Sequence, residues 1–215
     1  MSAPGMLASS SVRIAVRGAP RVVKLRPALN ATTHTVFGVA ALAGVSLLAG
    51  SEPPVYTYPA AVVAAWLPDV DNPRSRLGNG LSRTKVPVFD ALSRPVSWAL
   101  RIVSFTLFRT VGHRTLTHSF LGAALFVVLV SPLAPLSPDL FLALVAGYAS
   151  HLVADALNKR GVPLLWPVGT PFRLLPHGVR SGGAAEFFVA LVVAVAGGYG
   201  IYALHLAWAF APGAF

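Results

Sequence analysis

Residues 140–157 read LFLALVAGYASHLVADAL, an apolar run that ends with an imidazole and a carboxylate, His151 and Asp155, four residues apart. On a helix that spacing stacks the two side chains on one face, so both can reach a single cation. Taken alone, such a pair also fits a hydrogen-bonded helix end that only orients the chain.

Four more apolar segments lie around this one, at 35–49, 55–67, 120–136 and 184–210. The 215 residues are 55% hydrophobic and 11% charged, with mean hydropathy +0.67, against roughly 25% charge in a soluble domain. This excludes an ordinary soluble fold. No run of alternating strands offers a barrel, so the expected class is an all-α polytopic membrane protein of four to five membrane helices plus an interfacial amphipathic helix. Several segments fall short of the roughly 20 residues of a full span. The 55–67 segment is the least regular, because Pro53, Pro54 and Pro59 crowd it and Pro68 ends it, which suits a short or re-entrant helix as well as a crossing. The stretch 95–108, with Arg101 along it and Arg109 just past its end, reads as the interfacial helix. Residues 1–30 carry five basic side chains and no acid. They read as a disordered basic tail, a composition shared with transit peptides and with the start of a secretory signal. Residues 31–215 form the single helical membrane domain.

The chain has no cysteine, which rules out disulfides, iron–sulfur clusters and thiolate zinc sites and leaves nitrogen and oxygen for any metal. A net charge of +10 is not a nucleic-acid signature here, since no basic stretch is interleaved with stacking aromatics on a polar fold. The basic residues instead order the topology. All 17 Lys and Arg lie in the tail, in 70–115 or after residue 157, and none lies near Glu52 or in 132–138. The positive-inside rule then places the tail and both long loops in the cytoplasm, with membrane lipids as the expected partners.

On that map His34, Asp69, Asp71, His113, His118, His151, Asp155 and Glu186 all fall near cytoplasmic segment ends, whereas only Glu52, Asp139 and His205 lie near the others. Ionisable groups at membrane helices cost a few kcal/mol each and persist when paired, hydrated or metal-bound. In Pro68-Asp69-Val70-Asp71 two carboxylates repel unless a cation separates them; the bland alternative is a solvated Asp-Asn-Pro turn. In Gly112-His113-Arg114-Thr115-Leu116-Thr117-His118-Ser119 a ligand and a guanidinium four residues apart share a helical face, although the run also suits a hydrated interfacial anchor. His34 and Glu186 are lone residues, more often helix caps or supports of a ligand than ligands themselves. Glu186 is the better base candidate. His177 and His205 read as structural.

These motifs, together with Gly147-Tyr148, Ser150 and the run Gly161-Val162-Pro163-Leu164-Leu165-Trp166-Pro167, resemble the YdjM-like family of bacterial inner-membrane proteins over about 34–186. The resemblance implies a multi-pass protein of the bacterial cytoplasmic membrane with metal-dependent hydrolysis, and its metal ligands carry over to His34, Asp69, Asp71, His118, His151 and Asp155. The basic extension before about residue 30 departs from the family pattern.

The expected activity is therefore hydrolysis of a phosphoester or lipid-like substrate at the cytoplasmic interface. Glu186 or His113 would manage the proton, and Arg114 with Arg74 or Arg76 would hold an anionic group. Zinc, manganese and iron suit mixed imidazole and carboxylate ligands, and magnesium suits the site if the histidines stand behind the ligands. The alternatives are a metal-binding or transport-related protein without hydrolysis, and a structural membrane module that recruits partners through its basic loops and anionic lipids. A transporter needs polar groups at the midplane, which these segments lack.

Overall fold

Leu29–Ala49 (α1) is a 21-residue helix that ends where Gly50 takes a left-handed φ of +63°, which only glycine adopts freely. The Gly50 and Ser51 amides bond back to the Leu47 and Ser46 carbonyls, closing the helix end. This computed structural model describes residues 29–72, 75, 77, 87–112 and 114–209. The basic tail, Arg74, Arg76 and His113 lie outside the described residues, apart from the last two positions of the tail.

The remaining helices are Thr57–Trp66 (α2), Pro87–Thr110 (α3), Phe120–Val130 (α4), Pro138–Ala156 (α5) and Ala184–Ala209 (α6). Among the described residues there is no strand, and two isolated β-bridges, Asn158 to Val179 and Val162 to Phe172, tie the 157–183 loop together. Three helices are long and apolar enough to cross a membrane: Ala31–Ala49, Pro138–Ala156 and Ala184–Ala207. The prolines account for the shorter ones. Pro68 and Pro132 lack the N–H that would continue a helix, and each chain instead tightens into a 3-10 turn, Leu67–Asp71 and Ser131–Leu133. The apolar segment at 120–136 thus holds an 11-residue helix. By contrast α3 runs through Pro95 and is longer than its amphipathic core.

α2 sits against α1 and α5, and small residues let the backbones approach. A Cβ on Gly147 of α5 would stand 2.2 Å from the Ala61 carbonyl oxygen of α2, and one on Gly38 of α1 would stand 3.0 Å from the same atom. Leu42, Ala61 and Ala143 form the buried centre of this three-helix contact. α6 packs along α1, with Gly197 against Ala40, and turns Phe188, Val192, Val195 and Tyr199 outward. A second cluster, Tyr148, Leu152, Ala156 and Val162, packs with Ala123 and Phe126 of α4. The last turn of α5 therefore lies where α1, the end of α2 and the start of α4 converge.

Candidate metal centre

His151 and Asp155 occupy that last turn, and both are buried. The His151 Nδ1 lies 2.7 Å from the Ala65 carbonyl oxygen, to which it must donate. Pro68 offers no N–H to the carbonyl three residues before it, so the break in α2 provides the acceptor that fixes the ring. Nε2 is then left with its lone pair toward the centre.

His118 arrives from the other side, on the 3-10 turn Leu116–His118. That turn packs tightly under α4: Ser119 caps the helix by accepting from the Gly122 amide, and a Cβ on Gly122 would collide with the Leu116 carbonyl. The Thr117 hydroxyl donates to Asp71 Oδ2 at 2.7 Å and stands 3.0 Å from His118 Nδ1. With its proton already given to Asp71, the hydroxyl accepts from Nδ1–H. The Nε2 of His118 consequently also faces the centre, 3.2 Å from Nε2 of His151. Two lone pairs cannot face each other at that distance without a proton or a cation between them. Burial works against the imidazolium of His118, but hydrogen bonding to Asp69 and Asp71 outweighs it and pushes the pKa up to about 9.

Carboxylates complete the ring. Asp155 Oδ2 lies 3.6 Å from His118 Nε2 and 3.7 Å from His151 Nε2, while its Oδ1 accepts from Asn158 Nδ2 at 3.0 Å and lies 3.8 Å from His34 Nε2. The His34 ring stacks on His151 with centroids 3.9 Å apart. Asp69 Oδ1 is 3.7 Å from His118 Nε2 and, at 27% exposure, marks the side open to solvent. The donor atoms of His34, His151 and Asp155, and those of Asp69, His118 and His151, each lie within 4.8 Å of one another. Ligands about 2.0–2.2 Å from one ion stand roughly 3–4 Å apart, so both groups fit a divalent ion with little adjustment. His151 belongs to both.

Arg114 borders the same space with its backbone at φ +59°, a region that non-glycine residues seldom occupy. Its amide donates to Asp71 Oδ2 at 2.9 Å, and its Nη2 lies 2.8 Å from Asp155 Oδ2. Its Nε and Nη1 are buried with no hydrogen-bond partner, as is Nδ1 of His34.

Of the sequence candidates, then, five bring their donor atoms together in groups that could hold a metal ion: His34, Asp69, His118, His151 and Asp155. Asp71 is fully buried but stands behind His118, holding the ring through Thr117 and anchoring the Arg114 backbone. Glu186 opens α6, as its position suggests, and is held by the Thr33 hydroxyl and the Gly182 amide. It lines a cavity of about 10 Å³ with His34, Thr33 and Asn158, room for about one water. Glu186 therefore meets the cluster on the outer side of His34. His205 pairs with Glu52 at the opposite end of the bundle. Of the supporting partners, Thr117 stands in a motif quoted from the sequence without a role, and Asn158 and the Ala65 carbonyl have no place in that reading. Asn158 follows Asp155 by three positions and was findable by helical spacing, but no local signal points to a backbone carbonyl 86 residues from its histidine.

Comparison with known proteins finds relatives among inner membrane proteins. The family model of the YdjM inner membrane protein matches residues 29–214. The inner membrane proteins YdjM of Escherichia coli (strain K12) and of Shigella flexneri are each 33% identical over 141 residues, 64% of this chain and 62% of theirs. The aligned stretch thus spans less than two thirds of those relatives. The uncharacterized protein YvsG of Bacillus subtilis (strain 168) is 29% identical over 176 residues, 82% of this chain and 96% of its own. No solved structure matches the chain.

Proposed function

The chain belongs to the YdjM family of inner membrane proteins, and from that premise we propose that it is a metal-dependent hydrolase acting on a phosphoester or lipid-like substrate at the cytoplasmic membrane interface. The observation that carries the reading is the opposition of the two Nε2 atoms, each fixed by a bond at its Nδ1. A histidine that gives its second N–H to a carbonyl, or to a hydroxyl backed by a carboxylate, is the usual support of a metal ligand. His34, Asp69, His118, His151 and Asp155 would hold one or two ions of zinc, manganese, iron or magnesium. A bound divalent ion supplies Lewis acidity and an acidified water.

The remaining residues divide the other work. Arg114 holds an anionic oxygen of the substrate with the two guanidinium nitrogens that have no protein partner, assisted by Arg74 or Arg76. Asn158 keeps Asp155 turned toward the centre. Glu186 accepts a proton across the small cavity it shares with His34, with His113 as the other candidate.

The proposed topology is multi-pass, with four to five crossings and with the tail and both long loops cytoplasmic, supported by the one-sided distribution of Lys and Arg. Single cysteines at Arg83 and Pro135 then label from opposite sides in intact cells, and labelling from the same side overturns it. For the chemistry, purified protein loaded with each metal is assayed against a panel of phosphomonoesters, phosphodiesters and phospholipids. Turnover that depends on metal, and that falls further in Arg114→Gln than metal content does, is expected. Stoichiometric metal with no turnover on any substrate favours a metal-binding protein without hydrolysis.

A further inference from the structure

Behind the metal centre, on the side of α5 that carries Tyr148 and Leu152, lies an open groove of about 370 Å³. Its walls include Phe126 of α4, Tyr148, Ala149 and Leu152 of α5, and Leu164 and Phe172 of the following loop. Polar atoms contribute almost nothing to the lining, so an occupant must itself be apolar. Because α5 has the length and composition of a membrane span, the hydrocarbon of the bilayer is the apolar matter that reaches it.

One end of the groove differs from the rest. The Leu174 amide donates to the Ala156 carbonyl at 2.8 Å, and the Phe172 amide to the Val162 carbonyl at 2.7 Å. These bonds fold 172–174 back over the end of α5, so the exposed Lys159, Arg160 and Arg173 gather around that end. No acidic residue occurs between Asp155 and Glu186. An apolar trough with a basic rim is complementary to an acyl chain bearing a negative headgroup. The same wall also touches the metal centre: the Tyr148 hydroxyl donates to the Thr117 carbonyl at 2.6 Å, one residue from His118.

We infer that the groove between α4, α5 and the 158–174 loop seats an acyl chain of an anionic glycerophospholipid, whose headgroup lies at the Lys159, Arg160 and Arg173 rim beside the metal centre. The inference rests on the hydrolase reading for what happens to the lipid, and not for its binding. It narrows the substrate class to an anionic membrane lipid.

The test uses the full chain in phosphatidylcholine nanodiscs containing a trace of phosphatidylglycerol with a photoreactive diazirine at the end of one acyl chain. Crosslinks are mapped by peptide mass spectrometry. The expected result is labelling concentrated on α4 and on the outer side of α5, toward Val127 and Val145 at the end of the groove away from the rim, several-fold above that by a phosphatidylcholine probe with the same chain. Ala149→Trp and Val153→Trp, at exposed positions, should each fill the groove and abolish this labelling while bound metal stays unchanged. Combined Lys159→Gln, Arg160→Gln and Arg173→Gln should bring the two probes to equal labelling. Labelling spread evenly over α6 as well, or unaffected by both tryptophans, overturns the site. Equal labelling of the unaltered protein by both probes overturns the anionic assignment. Concentrated, tryptophan-sensitive labelling in a protein that binds no metal upholds the lipid site and removes the hydrolase reading alone.

Discussion

The two ends of the helical bundle both carry histidine beside carboxylate, yet they are built differently. At the far end His205 meets Glu52 with side-chain exposures of 63% and 35%, where water screens the pair and its contribution is small. At the near end His118, His151 and Asp155 are all but fully buried, their rings aimed by Ala65 and Thr117 and their carboxylate braced by Asn158 and Arg114. An exposed ion pair needs no such bracing. Buried polar groups are costly unless they are paired, and a cation held between the facing donor atoms would pair them. The contrast separates a surface pair from a prepared site, although the residue types are the same.

Three substitutions sharpen the contrast, beginning with the largest effect. Glu186→Gln should keep its metal and lose turnover by about 10²–10⁴-fold if the residue carries a proton. Full activity would leave Glu186 as a charge favourable to the α6 N-terminus by about 0.3–1 kcal/mol. Thr117→Val removes the hydroxyl between Asp71 and His118 without removing a ligand, and should weaken metal affinity by roughly 10–100-fold in a metal-buffer titration. Unchanged affinity would show that His118 needs no such support. Glu52→Gln is the control at the far end: it should leave metal content and turnover unaltered, and a loss of either would tie the two ends together.

Much of the architecture was legible in the sequence because apolar runs and prolines act locally. The runs at 140–157 and 184–210 became α5 and α6, and Pro68 and Pro132 ended helices by withholding a backbone N–H. The first helix was legible as a run but not in its start: α1 begins at Leu29, so His34 stands more than a turn inside it and stacks on His151. The gathering of His34, Asp69, His118, His151 and Asp155 at one end of the helices was legible through charge clustering and the His151–Asp155 spacing. The place of Asp71 was not, because Asp69 and Asp71 look equivalent in a turn. What separates them is the long-range contact with Thr117 and Arg114, which turns one carboxylate to the ring's far nitrogen and leaves the other at the open side. Which carboxylate stands behind His118 and which faces the open side is decided by packing between segments distant in the chain.

The central claim is that the buried cluster holds a divalent ion, and elemental analysis of the purified chain and four variants tests it most directly. The account predicts one or two equivalents of metal in the unaltered protein, sharply less in His118→Ala, His151→Ala and Asp155→Ala, and full content in His205→Ala, with every variant extracting as the same monodisperse species. Equal metal in all five proteins, or none in any of them, would contradict it.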